Sequence, residues 1–195
     1  EGEGKEGVTI RHLLTHSSGL PAYVEFFREF EPEQAGETAR RRVLERIYAT
    51  DLQSAPGTRY AYSDLGILLL GEVLDRAFGE SYDRVARRSI FEPLGMLDTR
   101  WNPPTALIER IPPTERDPWR GRVVRGEVHD RNAFVIGGVA SHAGLFSTAA
   151  DLAIYAQTML DLGIYDHVRV LRRSTVDAWR RRQEVVTGSS RALGW

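Results

Sequence analysis

Along the chain, apolar residues recur mostly at helical rather than alternating spacing. Thr9 is placed to cap a short helix through Thr15, ended by Ser18-Gly19-Leu20-Pro21. Tyr23 to Phe30 is aromatic-rich and reads as a short helix or an ordered loop. From Glu37 to Thr50 the pattern is amphipathic, with Val43, Leu44 and Ile47 on one face and Arg40, Arg41 and Glu45 elsewhere. Ala55-Pro56-Gly57-Thr58 is a turn. The clearest helix runs from Leu65 to Phe78, capped by Ser63 or Asp64 and stopped at Gly79. It is apolar on most sides, which predicts a buried central helix.

The second half of the chain is less regular. Ser81 is expected to cap a helix through about Phe91, ended by Pro93 and Gly95. Asn102 to Asp117, with five prolines counting Pro118, reads as an irregular connection. Arg122 to Val128 suits a strand, and Ala133 to Val139, apolar and broken by glycine, suits a strand or a close-packed loop. Ser147 is expected to cap a helix over Ala149 to Leu162, stopped by Gly163, and Ser174 another through about Arg182. No internal repeat is present. The sum is an α+β chain, mostly helical with few strands.

Composition narrows the chemistry. The 195 residues are enough for one sizeable core or two small subdomains. A net charge of −1 leaves no electrostatic footprint for nucleic acid. Cysteine is absent, which removes disulfides, thiolate metal sites and a cysteine nucleophile. The longest apolar run, Leu65 to Leu70, is too short to span a bilayer. Glu1 to Gly7 is loop-like without signal-peptide character, and with Ala192-Leu193-Gly194-Trp195 at the other end it reads as a chain cut within a domain. Of 26 basic residues Lys5 is the only lysine, so a mechanism needing another must find it elsewhere.

The central chemical signal is Arg59-Tyr60-Ala61-Tyr62-Ser63-Asp64-Leu65-Gly66. Tyr62 sits on a turn two residues before Asp64, where a buried helix opens. Both side chains are expected to project into one cleft. A helix start favours nearby negative charge by about 0.3–1 kcal/mol when exposed, which suits a phenolate and a carboxylate.

Four segments in series carry a resemblance. Thr9-Ile10-Arg11-His12-Leu13-Leu14-Thr15-His16-Ser17-Ser18-Gly19-Leu20-Pro21 is the first. Pro56 to Gly66, followed by Leu69-Leu70-Gly71, is the second, and Ile90-Phe91-Glu92-Pro93-Leu94-Gly95-Met96 the third. Gly137-Gly138-Val139-Ala140-Ser141-His142-Ala143-Gly144-Leu145-Phe146-Ser147-Thr148, running into Asp151-Leu152, is the fourth. In this order they resemble class C β-lactamases and their esterase, D-aminopeptidase and penicillin-binding relatives, over nearly the whole chain. The fold implied is the β-lactamase/transpeptidase-like one, with the chain holding its helical subdomain and part of the α/β/α sandwich.

The resemblance also implies a mechanism. A serine of a serine-x-x-lysine helix attacks a carbonyl and forms an acyl-enzyme. Tyr62 falls at the general base and Asp64 at the asparagine position. The substrate is then a small molecule or peptide with a reactive carbonyl: an ester, an amide or a D-amino-acid peptide bond. No cofactor or metal is implied. No serine here is followed three residues later by lysine, and the lysine- or histidine-threonine-glycine strand is missing too. In the family they would lie before Glu1 and after Trp195. A phenol must drop by about 3 pH units to act as a base at neutral pH, roughly 4 kcal/mol. One cation at ~4 Å and an effective dielectric of about 20 supplies that much. Without the motif lysine, the isolated chain is expected to be inactive. Asp64 in place of asparagine loses a donor, since an ionised carboxylate only accepts. That weakens β-lactam hydrolysis and suits Asp64 to holding the lysine.

Plainer readings stand beside these. Tyr62 is also consistent with a core tyrosine bonded to a carbonyl. His12 and His16 have the spacing of a zinc pair, but Leu13 stands where a zinc protease needs glutamate, which favours a structural pair. His129-Asp130 and His142 are open to two readings, groups orienting the site or caps of loops. No glycine-x-serine-x-glycine elbow exists, which disfavours an α/β-hydrolase triad. Arg40 to Arg42 and Arg180 to Arg182 read as solvated faces or carboxylate partners, and Gly137-Gly138 as a close approach of backbones. The rival to the hydrolase is a non-catalytic module of the same fold that binds a peptidoglycan-like ligand or a partner protein. A third possibility is a helical interaction domain, which requires Tyr62 and Asp64 to point into a sealed core.

Overall fold

The computed structural model describes residues 4–195. The loop-like start predicted for Glu1 to Gly7 therefore lies, at residues 1–3, outside the described residues. Helices dominate. Helix α1 (Ile10–Leu14) is followed by single 3₁₀ turns at Phe26–Glu29 and Pro32–Gln34, then α2 (Glu37–Ala49) and α3 (Asp64–Phe78). Helix α4 (Tyr82–Ala86) leads to a 3₁₀ segment at Thr105–Arg110, the hairpin β1 (Arg116–Asp117) with β2 (Arg122–Val123), and α5 (Arg131–Val135). Helix α6 (Ala149–Leu160), a second hairpin of β3 (Ile164–Tyr165) with β4 (Val168–Arg169), and α7 (Arg173–Arg180) complete the order. Both hairpins are antiparallel, with Arg116 opposite Val123 and Ile164 opposite Arg169.

The main core forms where α2 and α3 meet the Phe26–Glu29 turn and α5. Phe26, Phe27, Val43, Ile47, Leu65, Leu68, Ala133 and Val135 are buried together there. A smaller cluster of Phe91, Leu94 and Met96 packs against Trp101, Ile154 and Tyr155. Trp101 links the two, its Nε1 lying 3.2 Å from the Ala140 carbonyl and 3.3 Å from that of Ala143.

Capping chemistry sets the starts of α1, α3 and α5. The Thr9 hydroxyl accepts from the His12 amide, while His12 Nδ1 accepts from the Thr9 amide. Ser63 caps α3, and Gly79 closes it at φ +68°, a left-handed conformation that costs glycine nothing. The buried central helix predicted there is realised only in part. Leu65, Gly66, Leu68 and Gly71 are buried, whereas Leu74 and Phe78 are exposed, because α3 runs on past the core that covers its first turns.

Several predicted elements differ. The helix expected from Ser81 through Phe91 widens after α4 into a π turn at Arg87–Phe91, where the Glu92 amide bonds the Arg87 carbonyl. Pro93 just beyond has no amide for a regular i→i−4 bond. The strand expected over Arg122 to Val128 stops at Val123, and the Arg125 side chain is drawn to the carbonyls of Ile111 and Glu109. Ala133 to Val139 is not a strand: α5 occupies its start, because the Asp130 carboxylate accepts from the Ala133 amide and nucleates the turn. Thr148 rather than Ser147 caps α6, and α7 begins at Arg173 with Ser174 inside it. Gly137 does bring backbones together, with Gly36 against it. At Gly138, φ +83°, the space a side chain would take is filled by the Asn102 side chain.

Candidate functional site

The tyrosine segment is held by backbone hydrogen bonds to the chain that leaves α1. The Gly57 amide bonds the Ser17 carbonyl at 2.7 Å, Ala61 bonds His16 at 2.9 Å, and Asp64 bonds Ala22 at 2.9 Å. His16 reinforces this with its ring, Nδ1 accepting from the buried Ser63 amide at 3.0 Å. The Ser63 hydroxyl donates to the Pro21 carbonyl at 2.6 Å and accepts from Gly66 at 3.2 Å. Residues 57–64 are thus fixed along residues 16–22, and α3 starts at a defined point.

Tyr62 emerges from this rigid stretch with 54% of its surface exposed. Its ring stacks on His16, with centroids 4.4 Å apart and planes at 29°. On the described residues its hydroxyl makes no hydrogen bond, so it is neither the core tyrosine of the plainer reading nor sealed away. The cation beside it is Arg191, whose guanidinium carbon lies 5.6 Å from the Tyr62 ring centre and 5.2 Å from that of Tyr60. Arg191 also donates to the Tyr60 hydroxyl at 2.6 Å. Tyr60 and Arg191, with Val186, Ser190 and Trp195, line an open hollow of about 530 Å³. Burial first, then the Arg191 charge, push the His16 imidazole below its ordinary value of 6.5.

Asp64 has a different set of neighbours. Burial raises its carboxyl above the usual range and the Asp130 charge adds to this, while His142 acts against them. Burial first, then the Asp130, Glu25 and Asp64 charges, raise the Tyr23 phenol above its ordinary value, and Arg131 opposes them. The side chains are ordered from behind. His142 Nε2 lies 3.2 Å from Asp130 Oδ1, the oxygen that also caps α5. Ser141 donates to the Ile67 carbonyl of α3 at 2.7 Å, pinning the His142 loop to the helix that Asp64 opens. Asn132 bridges Val24 and Phe27, tying α5 to the segment that holds Tyr23.

The other sequence candidates separate. His12 spends its ring on the α1 cap and His16 on Ser63, so the two imidazoles serve different backbone amides. His129 turns outward to Glu115 at 2.8 Å, whereas Asp130 both caps a helix and holds His142. Arg40 pairs with Asp75 at 2.7 Å, the carboxylate partner foreseen for it. Sequence reasoning missed Arg191 and Tyr23. Neither lies at a motif spacing, and only the fold brings them to Tyr62 and Asp64.

Comparison with known proteins adds three kinds of likeness. A family model described as "Beta-lactamase" matches residues 1–195. An N-acetylmuramyl-L-alanine amidase of Bacillus subtilis (strain 168) is 33% identical over 211 residues, covering 99% of this chain and 46% of that protein. The chain spans about half the length of the curated relatives it matches. Among solved structures, a penicillin binding protein from Bacillus halodurans aligns with a TM-score of 0.70 at 19% identity, over 97% of this chain and 56% of its own. The D-amino acid amidase of Ochrobactrum anthropi SV3 aligns with a TM-score of 0.63 at 24% identity, over 90% of this chain and 48% of its own. These two structures show the fold: the chain is a mostly helical α+β part of the β-lactamase/transpeptidase-like architecture.

Proposed function

The chain belongs to the beta-lactamase family, and from that premise we propose that it forms the tyrosine-bearing part of a serine hydrolase that acts through an acyl-enzyme. The bond cleaved is an amide, ester or D-amino-acid peptide bond. The amidase named among its relatives favours the amide. Tyr62 is the general base and Asp64 stands beside it at the helix opening. The observation that carries this reading is the Tyr62 phenol, half exposed on a rigid segment, stacked on His16 and free of hydrogen bonds among the described residues. A side chain so held is oriented without being consumed by the core.

The nucleophile is to be supplied by polypeptide outside these 195 residues, since no serine-x-x-lysine occurs within them. The isolated chain is accordingly inactive in this reading. Full-length protein treated with a fluorophosphonate or a penicillin probe should acquire an adduct on one serine, located by mass spectrometry. Tyr62→Phe should slow labelling by about 10²–10⁴-fold, the range for loss of a general base, while leaving the thermal midpoint nearly unchanged. A full-length protein that takes up neither probe supports the rival module that only binds a peptidoglycan-like ligand or a partner protein.

A further inference from the structure

Helix α6 turns an apolar side to solvent. Its residues Ala149–Leu160 carry a single charge, Asp151, and that side chain is buried. It accepts from the Thr99 hydroxyl at 2.8 Å and from the Asp98 amide at 3.0 Å. Thr158 is buried as well, its hydroxyl donating to the Ile154 carbonyl at 2.8 Å. Ile154 and Tyr155 pack on the cluster of Phe91, Leu94 and Met96. Beyond the first turn, the positions left exposed are Leu152, Ala153, Ala156, Gln157 and Leu160. Leu152 is 54% exposed and Leu160 71%. Residues spaced by three and four share one face, so these form a stripe along the helix.

A helix that is apolar on both sides is ordinarily buried on both. Helix α2 shows the usual solution within the same molecule: its exposed positions include Glu37, Arg41, Arg42, Glu45 and Arg46. Single apolar residues scattered on a surface need no cause, but a contiguous stripe without charge marks a contact.

We propose that this stripe of α6 is a docking face for polypeptide of the same protein that lies outside these 195 residues, and that the docked surface is apolar and uncharged. This rests on the reading above, in which a longer protein completes the site. The chain covers 46% of one curated relative and 47% of another, so more than half of each lies outside the shared region. That is enough polypeptide to lay a further packed layer on α6. It is also covalently attached, which gives it an effective concentration of roughly millimolar. A second copy of the chain binds from free solution without that advantage. The stripe selects the chemistry of its occupant. A charge set against Leu152 and Leu160 is desolvated without a partner. Ala153 and Ala156 have little bulk, so a helix or strand can approach α6 closely. Gln157 asks nothing of the occupant, since its amide donates to Asp161 at 2.7 Å.

The test is thiol accessibility in the full-length protein, as these 195 residues hold no cysteine of their own. Ala153→Cys and Ala156→Cys place a small thiol on the stripe, and Arg41→Cys on the charged face of α2 is the open reference. Iodoacetamide labelling is read peptide by peptide by mass spectrometry, each rate relative to the same site in urea. It should be about 100-fold slower or more on α6 than at the reference, because the thiol reacts only when the docked layer opens. Equal rates overturn the proposal. If the cysteine variants do not fold, hydroxyl-radical oxidation of the wild type decides. Leu152 and Leu160 should be oxidised about fivefold more slowly in native protein than in urea, and native rates that match those in urea overturn the proposal. Protection that vanishes on dilution, while light scattering reports a smaller particle, assigns the stripe to a second copy and overturns it too. None of these readouts needs turnover. A shielded α6 in a protein that takes up no acylating probe would sink the hydrolase reading alone, and an open α6 in a protein that acylates would sink this one alone.

Discussion

His16 joins two roles in one ring: its Nδ1 satisfies the buried Ser63 amide, and its face supports Tyr62. The folded state therefore prefers the neutral imidazole, since a protonated Nδ1 no longer accepts. Its value is depressed by burial first and the Arg191 charge second. The unfolded chain then binds the proton more readily, so the stability His16 contributes is complete above about pH 6.5 and is lost as pH falls toward the folded-state value. Urea midpoints of the wild type should drop between pH 7.5 and pH 5. His16→Asn, whose amide oxygen replaces Nδ1 as acceptor, should lose that part of the dependence. Parallel curves for the two proteins would refute the linkage. His16→Ala, which orphans the Ser63 amide, should cost about 1–3 kcal/mol at pH 7.5, and less at pH 5, where the wild type has lost the same bond.

Helix α3 depends on its first turn. The Ser63 hydroxyl both accepts from Gly66 and donates to the Pro21 carbonyl, so one side chain starts the helix and staples it to the segment after α1. Ser63→Ala should cost about 1–2 kcal/mol by urea denaturation, and Ser63→Thr, which retains the hydroxyl, much less. Equal losses for both would show that the cap is not the cause. The same logic explains α5. A carboxylate at Asp130 starts a helix in a stretch whose apolar, glycine-broken pattern otherwise suits a strand. Cap residues and stop glycines are local signals that marked α1 and α3 to within a residue, and the amphipathic spacing did the same for α2. The π turn after α4 answers to Pro93 close by, whereas the truncated β2 answers to carbonyls farther along the chain, which periodicity does not record.

At the scale of the molecule, the hairpin of β1 and β2 is fastened to the core by charge as well as by apolar contact. Asp117 and Arg120 have side chains 1% and 0% exposed. Asp117 accepts from Arg131 at 2.9 Å and from the Trp119 amide, and the Arg120 guanidinium lies 4.2 Å over the Phe134 ring. Arg120 also reaches the carbonyls of His129 and Asp130, so this cluster shapes the turn that delivers Asp130 to His142. Burial works against the charge of Asp117, but the Arg131 bond, the Trp119 amide and the two guanidinium charges hold its carboxyl low. Asp117→Ala leaves a buried cation without its partner and should cost about 3–5 kcal/mol by urea denaturation. A loss under about 1 kcal/mol would show that the cluster is not truly desolvated. The amino-acid sequence by itself determined the helical character, the starts of the early helices and the position of Tyr62 two residues before Asp64 at a helix opening. These follow from spacing and capping, which act over a few residues. Tertiary structure decided which faces found cover, why Leu74 and Phe78 of a helix apolar on most sides remain in solvent, and which groups attend the two candidates. Arg191 lies 129 residues beyond Tyr62, and His142 lies 78 beyond Asp64. Electrostatic neighbours act through space, and only a folded backbone fixes those distances.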